Sequence, residues 1–600
     1  MREDDLRQMI GRVKRGSLSR RGFVQRMVAL GMTAPMATQL LAIAGAGSAQ
    51  AQSGSIPAYT PTRRGGGGAL RILYWQASTL LNPHFAVGTT NQESSRVFYE
   101  PLAGWATDGT LVPILAAEIP SIENGGLRAD GRAVTWKLKR GVKWHDGQDF
   151  TADDVVFTWE YARNPANATT TSGSYRDVNV VKVDSHTVRV EFERPTPFWA
   201  DAFVASAGCI IPQHLFSGFI GATARDAPTN LRPVGTGPYR FVSFAPGDNL
   251  IGALNPTYHG ENRPYFDTIE VKGGGDAVSA ARAVLQTGDF DYAWNLQVED
   301  ELLVRLEAAN RGRVNIVDGG NIEFVQLNVT DPNREVDGER SHISTQHPAF
   351  RDPAVRQAMA LLIDRNALQQ FIYGRGGPAT ANFLNNPPRF NSPNLRHEFN
   401  VQRANEILDA AGWVRGRDGI RAKDGVRLSF VYQTSVNAPR QRTQAIYRQA
   451  AQRAGINLDL KSITASVFFS ADVANPDTFP KFYADMQMYT TTMPQADPQR
   501  FMNQYVSWEV SQRANNWQGR NIVRWRNEEY DRIFRQAENE LDPVKRAEMF
   551  IRLNDLIVGS NHIIPLVKRP LVSASLRNLR PVLSAWDNTH WLLANWYREG

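Results

Sequence analysis

Six hundred residues exceed what one hydrophobic core supports, so the chain predicts two or more lobes. A hydrophobic content of 42% with 21% charged residues is that of a folded globular chain and excludes general disorder. The formal charge of +7 is no nucleic-acid signature: residues 1–51 hold eight Lys/Arg against three Asp/Glu, a net of +5, which leaves only +2 for the rest and no general attraction for nucleic acid or anionic membrane.

That basic start has the order of a targeting segment. Ser19-Arg20-Arg21-Gly22-Phe23-Val24 is a twin-arginine signal, with Arg20, Arg21 and Phe23 as its recognition residues. A moderately apolar run from Met27 to Ala46 follows, then an A-x-A site at Ala49-Gln50-Ala51. Thr33, Pro35, Thr38 and Gln39 interrupt the run, which falls short of the ~20 apolar residues of a spanning helix. Cleavage at Ala49 or Ala51 is therefore expected over a retained anchor. No cysteine stands there, so a lipid-anchored mature form is not expected. The segment predicts folding in the cytoplasm, export by the twin-arginine machinery and residence in the periplasm. Cys209 is the single cysteine, so no internal disulfide forms, and its apolar run Gly208-Cys209-Ile210-Ile211 predicts a small buried thiol.

Residues 52–69, rich in Gly, Pro and Thr, read as a flexible leader; no strand precedes the glycines, so they are not a phosphate loop. Leu70 to Trp75 is a strand. Leu127 to Ala162 reads as strand, turn and capped helix. Val134, Trp136 and Leu138 alternate with polar residues, Asp146-Gly147 turns the chain, and Thr151 three residues before Asp154 makes a capping box. Val180 to Val183 and Thr187 to Phe192 form a hairpin, and Gly235-Thr236-Gly237-Pro238-Tyr239 turns into another strand. Beyond, Asp352-Pro353 opens a helix with Val355, Met359 and Leu362 on its core face. Arg403 to Ala411 is a helix closed by Gly412. Leu428 to Tyr432 is a strand, Arg440 to Ala454 a helix ended by Gly455, and Ile456, Leu458 and Leu460 alternate as the next strand. Strand, helix, strand is the mark of an α/β sheet covered by helices.

In order, WKLKRGVKWHDGQDFTADDVVFTWEY, VKVDSHTVRVEFERPTPFW, PVGTGPYRFVSF, NPTYHGENRPYFDTIEVK, FVQLNVTDP with HPAFRDPAVRQAMALLIDRNAL, and ANEILDAAGW resemble the family 5 extracellular solute-binding proteins of ABC importers, the peptide and nickel type. The resemblance spans roughly residues 70 to 570. It implies an α/β, two-lobed periplasmic binding protein with an enlarged first lobe. That lobe would hold residues 70–323, a hinge crossover 324–328, the second lobe 329–560, and residues 561–600 would return to the first lobe. It further implies a monomeric receptor without a cofactor, which closes on a peptide or other small solute and presents it to an inner-membrane permease.

Ligand contacts are expected on loops at strand ends facing the cleft: Tyr74, Trp75 and Asn82 from the first lobe, Tyr489, Thr490, Thr491, Thr492 and Asp497 from the second, and Asn521, Arg524 and Trp525 from a later segment. In peptide binders of the family, an aspartate three residues before the loop's Asp-Pro holds the ligand's α-amino group; here that position is Pro494. A buried ammonium without that partner would cost several kcal/mol, so a free N-terminus is not the expected cargo. Thr490, Thr491 and Thr492 could instead bond a sugar, amide or modified peptide.

Two rival functions are weaker. Asp153-Asp154 and Glu528-Glu529 are adjacent acids at helix starts, not facing dyads, and no nucleophile elbow, HExxH or P-loop argues for a secreted hydrolase. A nickel or metal-complex receptor is the alternative cargo class, but of ten scattered histidines only His342 and His347 lie close in sequence.

Overall fold

The computed structural model describes residues 59–599 except 87–88, 470–473, 494 and 518, together with residues 9, 12 and 23. Arg20, Arg21, the site at Ala49 to Ala51 and Pro494 lie outside the described residues. Phe23 is buried.

Leu70, Ile72 and Tyr74 are buried on one face of strand Ala69–Tyr74 while Arg71 is exposed. The strand lies at the centre of a seven-stranded mixed sheet, parallel to Thr268–Gly273 and Tyr292–Ala293. Asn249–Leu254 and Tyr239–Ala245 extend one edge, Leu571–Leu576 and Gly312–Val317 the other. A separate three-stranded sheet joins Ala133–Lys137 to the hairpin Val178–Asp184/Thr187–Phe192. Helix Ala152–Arg163 stands over it, and its cap is the box read from sequence. The Asp153 amide donates to Thr151 Oγ1 at 3.2 Å, and the Thr151 amide donates to Asp154 Oδ2 at 3.0 Å.

The second sheet runs Asn457–Ile463, Ser429–Ser435, Met486–Thr491, Ile322–Leu327, Ile563–Lys568. The strand–helix–strand unit forms as expected: Phe430 pairs with Leu458 and Tyr432 with Leu460 in parallel register, joined by helix Ala438–Arg453. Gly455, at φ +78°, ends that helix in the left-handed region that favours glycine. Helix Pro353–Leu361, capped by Asp352, and helix Val401–Ala410 pack on one face of this sheet, with Val355, Met359, Leu408, Tyr432 and Tyr447 in their core. Phe324, Phe383, Phe501, Tyr505 and Phe550 fill the other face. Two sheets with separate cores are the two lobes. No helix among the described residues is long and apolar enough to cross a membrane.

Two stretches read from sequence have defined places in the structure. The run 324–328 falls largely in strand Ile322–Leu327 of the second sheet, antiparallel to Ile563–Lys568. The links between sheets are the short segments 318–321 and 569–570, tied by the Arg569 amide donating to the Asn321 carbonyl at 2.9 Å. The second feature is the leader, whose part from residue 59 onward is fastened. Arg64 donates to the carbonyls of Asn255, Tyr258 and Gly260, Asp267 accepts from the Gly66 and Gly68 amides, and Tyr59 stacks on Tyr597 at 4.1 Å. Glycine-rich composition signals freedom only where backbone groups lack partners; here Asp267 supplies them.

Candidate functional site

The lobes meet on both flanks of these links. On one flank Asn437, the N-cap of helix Ala438–Arg453, accepts from the Arg440 amide and donates from Nδ2 to Gln297 Oε1 of the first lobe at 2.6 Å. Arg442 pairs with Glu299, and Arg375 reaches Asp300 at 2.9 Å and Glu307 at 3.1 Å. On the other flank Arg500 bridges to Asp201 at 2.5 Å and to the Gly173 carbonyl at 2.6 Å. At the base, Gly319 approaches Ala585 so closely that a Cβ would lie 2.6 Å from the alanine Cβ. These contacts tie the two lobes together in this structure.

From the first lobe come Tyr74 and Trp75. Tyr74 is buried, stacks on Trp294 at 5.0 Å and shares a 3.2 Å hydrogen bond between its hydroxyl and His590 Nε2. Burial lowers the His590 pKa to about 4, so the ring is neutral. Trp75 is half-buried and donates from Nε1 to the Asn295 carbonyl at 2.9 Å. Asn82 lies elsewhere. It is fully buried, donates to Asn230 Oδ1 at 2.7 Å, and its own Oδ1 accepts from the His84 amide, as a turn residue does.

From the second lobe, Thr490 belongs to a charge cluster that sequence reading missed. Arg440 donates from Nε to Glu323 Oε1 at 2.7 Å, from Nη2 to Thr490 Oγ1 at 2.9 Å and from Nη1 to Ser435 Oγ at 2.7 Å. Thr490 Oγ1 donates to Glu323 Oε2 at 2.5 Å, and Arg569 stands 3.7 Å from the same oxygen, stacked over Tyr373. One buried carboxylate between two guanidiniums leaves a net positive charge beside the links. Thr491 is half-buried and Thr492 exposed beyond it, while Tyr489 is buried on the opposite sheet face against Phe324 at 4.9 Å.

The remaining candidates have structural partners. Asp497 holds Arg546 through both oxygens, at 2.5 and 2.9 Å. Asn521 is fully buried and donates to the carbonyls of Val506 and Trp525. Arg524 donates to the carbonyls of Ile522 and Lys481 at 2.9 Å each, and burial lowers its pKa to about 10. Trp525 is packed edge-on to Tyr530 at 5.4 Å. Tyr74 thus ends strand Ala69–Tyr74 with Trp75 next in the chain, and Thr490 and Thr491 end strand Met486–Thr491, while Asn82, Asp497, Asn521, Arg524 and Trp525 bond or pack against neighbouring protein groups. Arg440, Glu323 and Arg569 carry no local sequence signal, since Arg440 and Glu323 lie 117 positions apart.

Elsewhere, His145 donates from Nε2 to the Gly237 carbonyl at 3.0 Å and accepts the Gly235 amide at Nδ1, with its pKa lowered by burial to about 4. Cys209 is buried and its thiol is pushed up to about 12. Trp591 and Trp596 pack in the first-lobe core, while Trp586 sits with the second-lobe cluster and donates to the Thr107 carbonyl at 3.2 Å. His347 is buried on Asp485 at 2.9 Å, away from any cluster, and among the described residues no group of three metal-ligating side chains forms.

Residues 110–512 match the family described as bacterial extracellular solute-binding proteins, family 5 Middle. The oligopeptide-binding protein AppA of Bacillus subtilis is 27% identical over 475 residues, covering 77% of this chain and 79% of that protein. Its structure in complex with a nonapeptide superposes with a TM-score of 0.71 at 22% identity, over 90% of this chain and all of that one. NikZ of Campylobacter jejuni, solved with Ni(L-His), gives 0.72 at 20% identity, over 88% of this chain and 99% of its own.

Proposed function

Because the chain belongs to the family 5 bacterial extracellular solute-binding proteins, a family of receptors and not of enzymes, we propose that it captures a peptide or related small organic solute between its lobes and delivers it to an ABC permease. The observation that carries this reading is how the two sheets are joined. Among the described residues two short links, 318–321 and 569–570, join them, and polar contacts such as Asn437 to Gln297 and Arg500 to Asp201 tie one lobe to the other. Paired links of this kind allow rigid-body closure with little change inside either lobe. The reading makes these links the hinge, residues up to 317 and from 571 onward the first lobe, and 322–568 the second.

In this reading Trp75, half-buried beside the buried Tyr74, offers a flat ring from the first lobe, and Thr490, Thr491 and Thr492 offer hydroxyls from the second. Rings and neutral hydroxyls grip an amide backbone, a sugar or a modified peptide better than a free ammonium. Pro494, in place of the family's aspartate, supports the same preference. The chemistry is binding alone: buried acids such as Glu93, Glu100 and Glu323 already accept hydrogen bonds from neighbouring protein groups. Arg20, Arg21 and Phe23 support export through the twin-arginine route to the periplasm, with cleavage near Ala51 and a monomeric mature protein.

Thermal shift and small-angle scattering of the mature protein with peptides, N-blocked peptides, opines, oligosaccharides and nickel–histidine complexes test this reading. It predicts a raised melting temperature and a smaller radius of gyration with one organic class. A response to the nickel complex alone would replace the organic cargo by a metal one, and no response to any class would refute the receptor reading.

A further inference from the structure

Trp586 belongs to the first lobe by its place in the chain and to the second by its packing. The tail from residue 571 onward returns to the first sheet, and its Trp591 and Trp596 fill the first-lobe core. Trp586 is 2% exposed, yet it joins the buried second-lobe cluster of Phe324, Phe383, Met493, Ala496 and Phe501. Trp105, at the end of the first-lobe strand Ala103–Trp105, packs half-buried against the same cluster.

The first lobe fixes the base of this ring. Trp586 Nε1 donates to the Thr107 carbonyl at 3.2 Å and the Trp586 amide to Ser584 Oγ at 3.1 Å, while Thr107 Oγ1 donates to the Leu583 carbonyl at 2.7 Å. Asp587, next in the chain, accepts the Trp105 amide at 3.3 Å and the Asn588 amide at 2.7 Å, and lies 4.0 Å from the buried Arg96. The one polar atom of the indole is thus satisfied within its own lobe, so the ring offers the other lobe apolar surface alone. The backbones around it come close. A Cβ on Gly109 would lie 3.1 Å from that of Ala496 across the lobe boundary, and Gly320 of the first link packs on Met493. Met493 and Ala496 follow strand Met486–Thr491 in the loop that also holds Thr492. Opening the lobes about the links would draw Trp586 and Trp105 out of this cluster into water. Losing even about 60 Å² of apolar burial would lower the closed-to-open ratio roughly tenfold.

We propose that Trp586 is an inter-lobe latch that holds part of the ligand-free population closed, so that a ligand completes a closure the protein has already begun. A contact made only in the closed arrangement biases that equilibrium before any ligand arrives. The seat of the latch includes Met493 and Ala496, so the loop that carries second-lobe ligand candidates also carries the closing contact. The latch adds to the receptor reading and is independent of what the cargo is.

The test needs no ligand. The mature protein is stripped of any carried solute by unfolding in guanidinium chloride and is refolded by dialysis, as parent, Trp586→Phe and Trp586→Ala. Small-angle scattering reads the opening of the lobes. In a second set, each carries Ala496→Cys, whose thiol is buried at the lobe boundary and reacts with a maleimide only in open molecules. Cys209 is fully buried in the first lobe and serves as the internal control. The proposal expects Trp586→Ala to have a larger radius of gyration than the parent and a closed-to-open ratio lowered roughly tenfold, with faster labelling at position 496. Trp586→Phe, which keeps most of the apolar ring, should lie between the two. A Trp586→Ala protein equal to the parent in either readout overturns the latch. Labelling of Cys209 in Trp586→Ala but not in the parent would make Trp586 a support of first-lobe folding and overturns it as well. Each of these failures leaves the receptor reading intact, because that reading falls only if no solute binds.

Discussion

Glutamine at position 323 would keep the shape of the glutamate and remove the charge that Arg440 and Arg569 share. Glu323 is 1% exposed and the Arg440 side chain 5%, so the pair is desolvated. Removing one partner of a buried pair leaves the other uncompensated and costs roughly 3–5 kcal/mol. Arg440 keeps Thr490 and Ser435 as acceptors, and the glutamine carbonyl keeps one further bond, which places Glu323→Gln near the lower end, about 3 kcal/mol. Adding Arg440→Met in that background removes the stranded cation and should recover much of the loss. Urea unfolding followed by far-UV circular dichroism and tryptophan fluorescence measures both variants, read from the transition of the second lobe if the lobes unfold separately. A loss below about 1 kcal/mol, or no recovery in the double variant, would refute the claim that this cluster depends on its charge balance.

Four further outcomes follow from the geometry. His84, His145 and His590 have pKa values lowered by burial to about 4, and His562 to about 3; between those values and the unfolded ~6.5 the unfolded chain binds more protons, so stability is full above pH 6.5 and is lost as pH falls toward 4. Glu93, raised by burial to about 7, acts in the opposite sense between its unfolded ~4.5 and 7, but four histidines outweigh it; the melting temperature should drop between pH 7 and pH 5, and a flat or rising profile would contradict this. Asp154→Ala strands the Thr151 and Gln213 amides and Trp144 Nε1, for a loss of roughly 3 kcal/mol, while Thr151→Ala removes one acceptor for about 1 kcal/mol, both read by urea unfolding. Arg500→Met cuts the contact to Asp201 and Gly173, and scattering should report a larger radius of gyration with the secondary structure unchanged. Gly319→Ala forces a Cβ against Ala585 and should also open the lobes; a radius equal to the parent's would refute the role given to that close approach.

Local chemistry made much of the scaffold legible. Thr151 and Asp154 bond their own neighbours, Asp352-Pro353 caps its own helix, and Gly455 ends one, so each signal lies within a few residues of its effect. The fastening of the leader and the buried charge cluster were less legible because their parts are brought together from afar. Arg64 meets Tyr258, Asp267 holds Gly66 and Gly68, and Arg440 meets Glu323, all across more than a hundred positions. Ligand candidates chosen by residue type were divided by the same rule. Asn82, Asn521 and Arg524 are polar residues at turns, and their turns use them, whereas Tyr74 and Thr490 lie at strand ends and Trp75 follows one. The run 324–328 shows a related limit, since an extended apolar run reads alike as a crossover or as a central strand; in the structure most of it pairs as a strand with Ile563–Lys568.

The central claim is that this chain carries a small organic solute between its lobes. Native mass spectrometry of the mature protein, purified without denaturation from cells that export it, addresses that claim most directly. The account predicts a protein peak heavier by one small organic solute, released on unfolding and raising the melting temperature when added back. A bare protein mass, with no solute released and no stabilisation by any extract fraction, would contradict it.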